Sequence, residues 1–225
     1  MASNSVVENF TVVVTENQVK GRGQQGSVWE SEVGKNLIFS VFVTFESLSV
    51  SDKKYLNYAV SLAVFEVLQQ ENIPGITIKW PNDILSAKKK IGGILIENSL
   101  KGAKISSSVI GIGLNVNQTS FSSSLENASS LTLSSNRTFD LEQLLIEIVT
   151  SLKSKISLLN AKAFESIETS YLNVLYKKNI PTMFKDSYDV LFMGIIRGVS
   201  KDGKLQVELE DETFKEFGIK EISFL

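Results

Sequence analysis

The sequence predicts an α+β fold in two parts. A mixed β-sheet with helices packed on it is expected over residues 1–179, and a small C-terminal β-barrel over residues 180–225. Three observations predict this. Short β-branched runs alternate with turn residues in the first half, two long segments repeat apolar residues at helical spacing, and from Pro181 the pattern changes to short strands with tight turns. A chain of 225 residues is long enough for one main core with a small appendage.

In chain order, residues 10–15 are short and β-branched, as expected of a buried strand. They run through Glu16-Asn17-Gln18 into Gly21-Arg22-Gly23-Gln24-Gln25-Gly26-Ser27-Val28-Trp29. The glycines let that backbone approach a ligand closely, while the arginine and tryptophan supply a planar cation and a ring. The same composition also suits an ordinary surface turn. Residues 37–43 form the next strand after a turn at Gly34. Ser51 is the expected N-cap of a helix reaching about Gln70, with Leu56, Val60, Ala63, Val64 and Val67 as its core-facing stripe. Pro74-Gly75 ends it, and residues 76–80 begin another strand.

That strand leads into Lys79-Trp80-Pro81-Asn82-Asp83-Ile84. Asn and Asp are common in turns, but a lysine, an amide and a carboxylate crowd this one at a strand end, where α/β proteins tend to place ligand groups. Lys88 and Lys89 read as solvated charge at a hairpin. Lys90 differs, because it stands just before Gly92-Gly93 in an apolar strand that runs to Glu97, and glycine within a strand often marks close approach of a ligand or backbone. In residues 109–117, Gly111, Gly113 and Asn115 alternate with Ile112, Leu114 and Val116. Period 2 puts the aliphatics on a packed face and the glycines on one hollowed for a ligand. The third glycine and following helix of a dinucleotide fingerprint are missing.

Residues 118–137, rich in Ser, Thr and Asn, read as a loop. Asp140 and Gln143 form a capping pair for a helix whose apolar face includes Leu144, Ile148, Leu152 and Ile156. Phe164, Ile167, Tyr171 and Val174 mark a second helix before Asn179, the expected domain boundary. Strands follow at 190–197, 204–209 and 213–217, with Asp202-Gly203 as a hairpin signal.

Composition narrows the chemistry. With 0 cysteines and 0 histidines, thiolate nucleophiles, disulfides, Ser-His-Asp triads and His- or Cys-ligated metals are all excluded. Catalysis must use Lys, Arg, carboxylates, amides, backbone dipoles or a hard cation such as Mg²⁺. A net charge of -2 offers no global attraction for nucleic acid. No apolar run is long enough to span a bilayer and the first residues do not resemble a signal peptide, so a cytoplasmic location is expected.

Taken together, the clusters resemble the biotin–protein ligases, also called biotin–[acetyl-CoA-carboxylase] ligases. Members carry a GRGRxGxxW-like loop, a KWPND turn, a K-x-x-G-I-L-x-E strand and a GxGxN strand in this order, and all four have counterparts here. Ala128-Ser129-Ser130-Leu131 resembles the family's adenylate-side loop, and the tail its small C-terminal barrel. The resemblance implies a class II synthetase-like sheet and a two-step reaction. Biotin and Mg-ATP give biotinyl-5′-AMP, then a lysine of a biotin carboxyl carrier protein attacks it.

By motif position, the resemblance implies that Gln18, Gly21 and Arg22 grip biotin's ureido group, with Gly93, Gly111 and Gly113 as the floor beneath it. Lys90, Arg22 and Asp83 become the catalytic set, with Asp83 the Mg²⁺ ligand. Arg22, Gln24, Trp29, Asn82, Lys90, Asn115, Ser129 and Ser130 take ATP or the adenylate, Trp29 stacking on adenine and Asn115 bonding its edge. Gln24 replaces a second arginine common in the family. Only Ser3-Asn4-Ser5 resembles the family's Ser-Thr-Asn element, and it lies too close to Phe10 for a helix between them. Two other readings remain open: a non-catalytic binding homologue lacking that element, and a lipoate–protein ligase. There is no room for an N-terminal DNA-binding domain, so DNA is not an expected partner; neither is a membrane, and a homodimer is compatible with the resemblance.

Overall fold

The computed structural model describes residues 7–225. The Ser3-Asn4-Ser5 string therefore lies outside the described residues. Six strands make the main sheet: β1 (Val12–Thr15), β4 (Leu37–Thr44), β5 (Ile76–Lys79), β6 (Asp83–Ser86), β7 (Lys89–Lys101) and β8 (Lys104–Leu114). The glycine loop forms its own ribbon from β2 (Gly21–Arg22) and β3 (Val28–Trp29). Four helices follow or interrupt the strands: α1 (Lys53–Gln70), α2 (Leu131–Ser135), α3 (Leu141–Asn160) and α4 (Phe164–Asn173). The C-terminal unit holds β9 (Pro181–Asp186), β10 (Leu191–Val199), β11 (Leu205–Leu209), β12 (Phe214–Phe217) and β13 (Ile222–Phe224).

The main sheet has the order β1-β4-β8-β7-β6-β5. Its strand pairs are antiparallel. The parallel component comes from single bridges that tie Ile78 to Leu175 and Lys90 to Ala128. The alternation of Ile110, Ile112 and Leu114 drives one face of β8 into the core, while Gly111 and Gly113 remain half-buried on the other. α1 is buried nearly all round, with Tyr58, Ala59, Leu62 and Phe65 added to the expected stripe, because it packs against α3, α4 and the sheet. α3 buries Leu144, Ile148, Leu152, Ile156 and Leu159 in a row, so truncating Ile148 to alanine would cost about 2–5 kcal/mol.

Several expectations need correction. Residues 10–15 do not form a buried strand: Phe10 has φ 64, which delays the strand to Val12, and Val13 is 65% exposed because β1 is a sheet edge. Ser51 does not cap α1; Ser49 accepts from the Ser51 amide and opens a short 3-10 turn that precedes the helix. The supposed loop 118–137 contains α2, capped by Ser130. Asp140 accepts from the Glu142 and Gln143 amides, but the Gln143 side chain turns to Glu147 instead of reaching back. The C-terminal barrel is a small five-stranded sheet of order β12-β11-β10-β9-β13, and does not close. Its strands β9 and β13 carried too little periodicity to be read from sequence.

Candidate active site

One row of residues crosses four neighbouring strands. Lys79 pairs with Asp83, Asp83 with Gly93, and Gly93 with Gly113. Residues directly opposite each other share a face, so this row forms a floor with charge at the β5–β6 end and bare backbone at the β7–β8 end. Above it lies a cavity of about 440 Å³, within the range of small-molecule sites. The glycine loop, the sheet and residues of the C-terminal unit enclose it.

Lys90 reaches this floor because of a register shift. Ile84 pairs with Gly92 but Leu85 with Lys90, so Ile91 is an extra residue in β7. Without that bulge, strict alternation would place Lys90 on the face opposite Gly93, Leu95 and Glu97. With it, the Lys90 ammonium lies 2.6 Å from Asp83 Oδ1 and 5.7 Å from the centre of the Trp29 ring. The Lys90 backbone is clamped on both sides, its amide donating to Asn127 O at 2.7 Å and its carbonyl accepting from Ser129 at 2.8 Å.

The turn before Asp83 is equally braced. The Trp80–Pro81 peptide is cis. Asn57 donates to the Pro81 carbonyl at 2.6 Å, and Asn82 exchanges bonds with Ile94. Lys79 is held below its ordinary pKa, mainly by desolvation and also by the Lys90 and Lys177 charges, while Asp83 opposes the shift. Three charged groups from β5, β6 and β7 thus meet where the glycine floor ends.

Arg22 reaches over the floor to Glu97, 3.2 Å away, in a pair exposed enough to contribute little to stability. Gly21 must be glycine, since a Cβ there would run into the Trp29 carbonyl across the β2–β3 ribbon. Trp29 itself lies against the floor. A Cβ on Gly93 would stand 3.3 Å from its Cζ3. Trp29 Nε1 and Gln24 Oε1 are buried without a hydrogen-bond partner, so the loop offers one donor and one acceptor at the cavity.

Of the residues expected at the site, Gln18, Arg22, Gln24, Trp29, Asn82, Asp83, Lys90, Gly93, Gly111 and Gly113 line the cavity. Gly21, inside the β2–β3 ribbon, does not, and neither do Asn115, Ser129 and Ser130. Asn115 is 5% exposed, and its amide donates to the Ser129 carbonyl at 2.9 Å. The Ser130 hydroxyl accepts from the Leu133 amide at 3.2 Å. These three brace the segment that clamps Lys90. Sequence reasoning missed Ser40, which faces Gly111, and the contribution of Ile219, Lys220 and residues 222–224. The signal for Ser40 was available as a polar residue in an apolar strand. For the C-terminal residues there was none.

Among the described residues, no group of three or more His, Cys, Asp or Glu side chains is placed to hold a metal ion. No helix among them is long and apolar enough to cross a membrane.

A model of the biotin/lipoate A/B protein ligase family matches residues 3–115. The bifunctional ligase/repressor BirA of Bacillus spizizenii is 29% identical over 226 residues, covering 99% of this chain and 66% of that protein. The biotin–[acetyl-CoA-carboxylase] ligase of Mycobacterium tuberculosis is 34% identical over 110 residues, covering 48% of this chain and 40% of that one. The chain thus spans two thirds or less of these relatives. Among solved structures, the biotin protein ligase of Aquifex aeolicus in complex with biotin and ATP superposes with a TM-score of 0.79 at 24% identity, covering 99% of this chain and 91% of that chain.

Proposed function

The chain belongs to the biotin/lipoate A/B protein ligase family, and we propose that it is a biotin–protein ligase that forms biotinyl-5′-AMP from biotin and ATP, then transfers biotin to a lysine of a carrier protein. The observation that carries this reading is the Lys90 ammonium, 2.6 Å from Asp83 at the head of a glycine-floored cavity. A site without imidazole or thiol suits adenylation, which needs positioning and charge compensation more than proton transfer. The curated relatives point to biotin within a family whose description also covers lipoate.

In this reading the ring system of biotin lies along Gly93, Gly111 and Gly113, with Gln18 and Gly21 at its polar end. Its carboxylate oxygen attacks the α-phosphate and pyrophosphate leaves. Lys90, a mobile point charge, stabilises first the carboxylate and then the charge developing on the phosphate. Arg22, released from Glu97, closes over the adenylate, while Gln24, Asn82 and Trp29 border the nucleotide. Asn115, Ser129 and Ser130 act through the backbone that holds Lys90. In the second step an uncharged carrier lysine attacks the acyl carbon and AMP leaves.

Mg²⁺ fits this donor set as an ion carried by ATP. Asp83 is the carboxylate of the charged row, and Mg²⁺ is commonly held by one or two carboxylates together with substrate phosphates. Asp83 would hold the ion, which would offset phosphate charge. The partner is a biotin carboxyl carrier domain, and the catalytic unit ends near Asn179, before β9.

The test is incubation with ATP, biotin and an acceptor domain, followed by mass spectrometry of the acceptor. One biotinylated lysine is expected. No modification by folded protein would overturn the proposal, and lipoylation in its place would reassign the substrate.

A further inference from the structure

The C-terminal sheet is fastened to the strand end that carries the charged row. Trp80 is 6% exposed, and its indole N–H donates to the carbonyl of Gly203 at 3.2 Å. Gly203, at φ +86, lies in the turn between β10 and β11, a conformation suited to glycine. One residue before Trp80, the Lys79 ammonium stands 4.7 Å from the centre of the Phe224 ring on β13. The last residue of β5 and the one after it therefore hold two separate parts of the C-terminal unit. Pro81, in a cis peptide, then leads into Asn82 and Asp83.

The two halves of the cavity differ in what builds them. Gly93 and Gly113 belong to β7 and β8, central strands paired on both sides. The β5–β6 end lies at the sheet margin, and there the cavity wall includes Ile222 and Phe224. Apolar packing alone would let the indole slide, because dispersion has little directionality. A buried N–H with a single carbonyl partner does not permit that, since losing the bond leaves a desolvated donor.

We propose that Trp80 is a positioning residue for adenylation. Its bond to Gly203 sets the C-terminal sheet against the Asn82–Asp83 turn and so completes the nucleotide end of the cavity, leaving the glycine floor unaffected. This rests on the ligase reading of the site. It predicts a split: the bond governs ATP use and is silent in biotin binding.

The test replaces Trp80 with benzothienylalanine, which keeps the ring shape but has sulfur in place of N–H, and with 7-azatryptophan, which keeps the N–H. The readouts on the whole protein are biotin-dependent ATP–pyrophosphate exchange, biotin binding by calorimetry, and amide hydrogen exchange. Benzothienylalanine is expected to lower kcat/KM for ATP about tenfold, the size of one directional hydrogen bond. It should leave the biotin Kd within about twofold and speed amide exchange over residues 82–86 and 200–204 but not 111–114. The 7-azatryptophan protein should behave as wild type. Unchanged kcat/KM with unchanged protection overturns the proposal, and so does an equal loss of biotin affinity. Were the wild type to lack pyrophosphate exchange altogether, the ligase reading would fail. The hydrogen-exchange comparison would still decide whether Trp80 holds the turn.

Discussion

The Trp29 indole occupies the space that a side chain on Gly113 would need: a Cβ there would stand 2.7 Å from Cε2 and 2.9 Å from Cζ2. The ring lies on the floor of the cavity, against the glycines proposed to carry biotin. A ligand that runs along those glycines must therefore slide under or displace the indole. The loop that covers the site is held by the same contact that a ligand would use.

Gly113→Ala is expected to push the indole off the floor and narrow the slot. Overpacking of this kind costs about 1–3 kcal/mol, which corresponds to a loss of roughly fivefold to 150-fold if it falls on ligand binding. Calorimetric titration with biotin checks this. An affinity within twofold of wild type would show that the ligand does not use the floor.

Lys90→Met should leave the fold intact, since the ammonium is partly exposed, and depress single-turnover formation of biotinyl-5′-AMP by about 10²–10³, the usual effect of losing one charge-stabilising group. Asp83→Asn, which keeps the shape of the turn, should raise the Mg²⁺ concentration needed for half-maximal rate. An unchanged Mg²⁺ requirement would remove Asp83 from that role.

Lys79→Met tests the half-buried lysine by pH. Because the folded-state pKa of Lys79 lies below its unfolded value, the unfolded chain binds more protons between the two, and this residue's contribution to stability rises with pH across that alkaline window. Its protonated form is a burden on the fold below the folded pKa. The methionine variant is therefore expected to be at least as stable as wild type at pH 7, with the difference shrinking as pH rises toward the ordinary lysine pKa. Denaturant titrations at several pH values measure this, and a variant less stable at pH 7 would contradict it.

Arg22→Gly should leave Tm nearly unchanged, because the pair with Glu97 is largely solvated. Retention of the adenylate should fall, so that more biotinyl-5′-AMP appears free in solution. Filtration after a single turnover reads the fraction released, and equal retention would count against closure by Arg22.

Asp140→Ala removes the acceptor for the Glu142 and Gln143 amides at the start of α3. A loss of about 1 kcal/mol is expected, with activity per folded molecule unchanged. Thermal unfolding and a specific-activity assay separate the two effects.

Much of the scaffold was legible because its signals are local. The alternation of Gly111 and Gly113 with Ile112 and Leu114, the helical stripe of α3 and the Asp202-Gly203 turn each depend on neighbours a few residues away. The main helices and the central strands accordingly lie where the pattern placed them. The resemblance carried by four ordered motifs also named ten of the residues that line the cavity.

Tertiary structure decided the remainder, and in each case through contacts distant in sequence. Val13 is exposed because no strand pairs beyond β1, a fact of sheet order that a β-branched run cannot announce. Asn115, expected at the adenine edge, donates its amide to the Ser129 carbonyl, a partner on a separate segment. Lys90 shares a face with Gly93 through the extra residue Ile91, and bulges leave no periodic trace. Phe224 reaches Lys79 only after the C-terminal sheet has folded back on β5. The sequence by itself determined which groups were available, glycines to leave room and lysines to bring charge. Register and long-range pairing decided which of them meet, because side-chain direction alternates with each residue and one added residue reverses it.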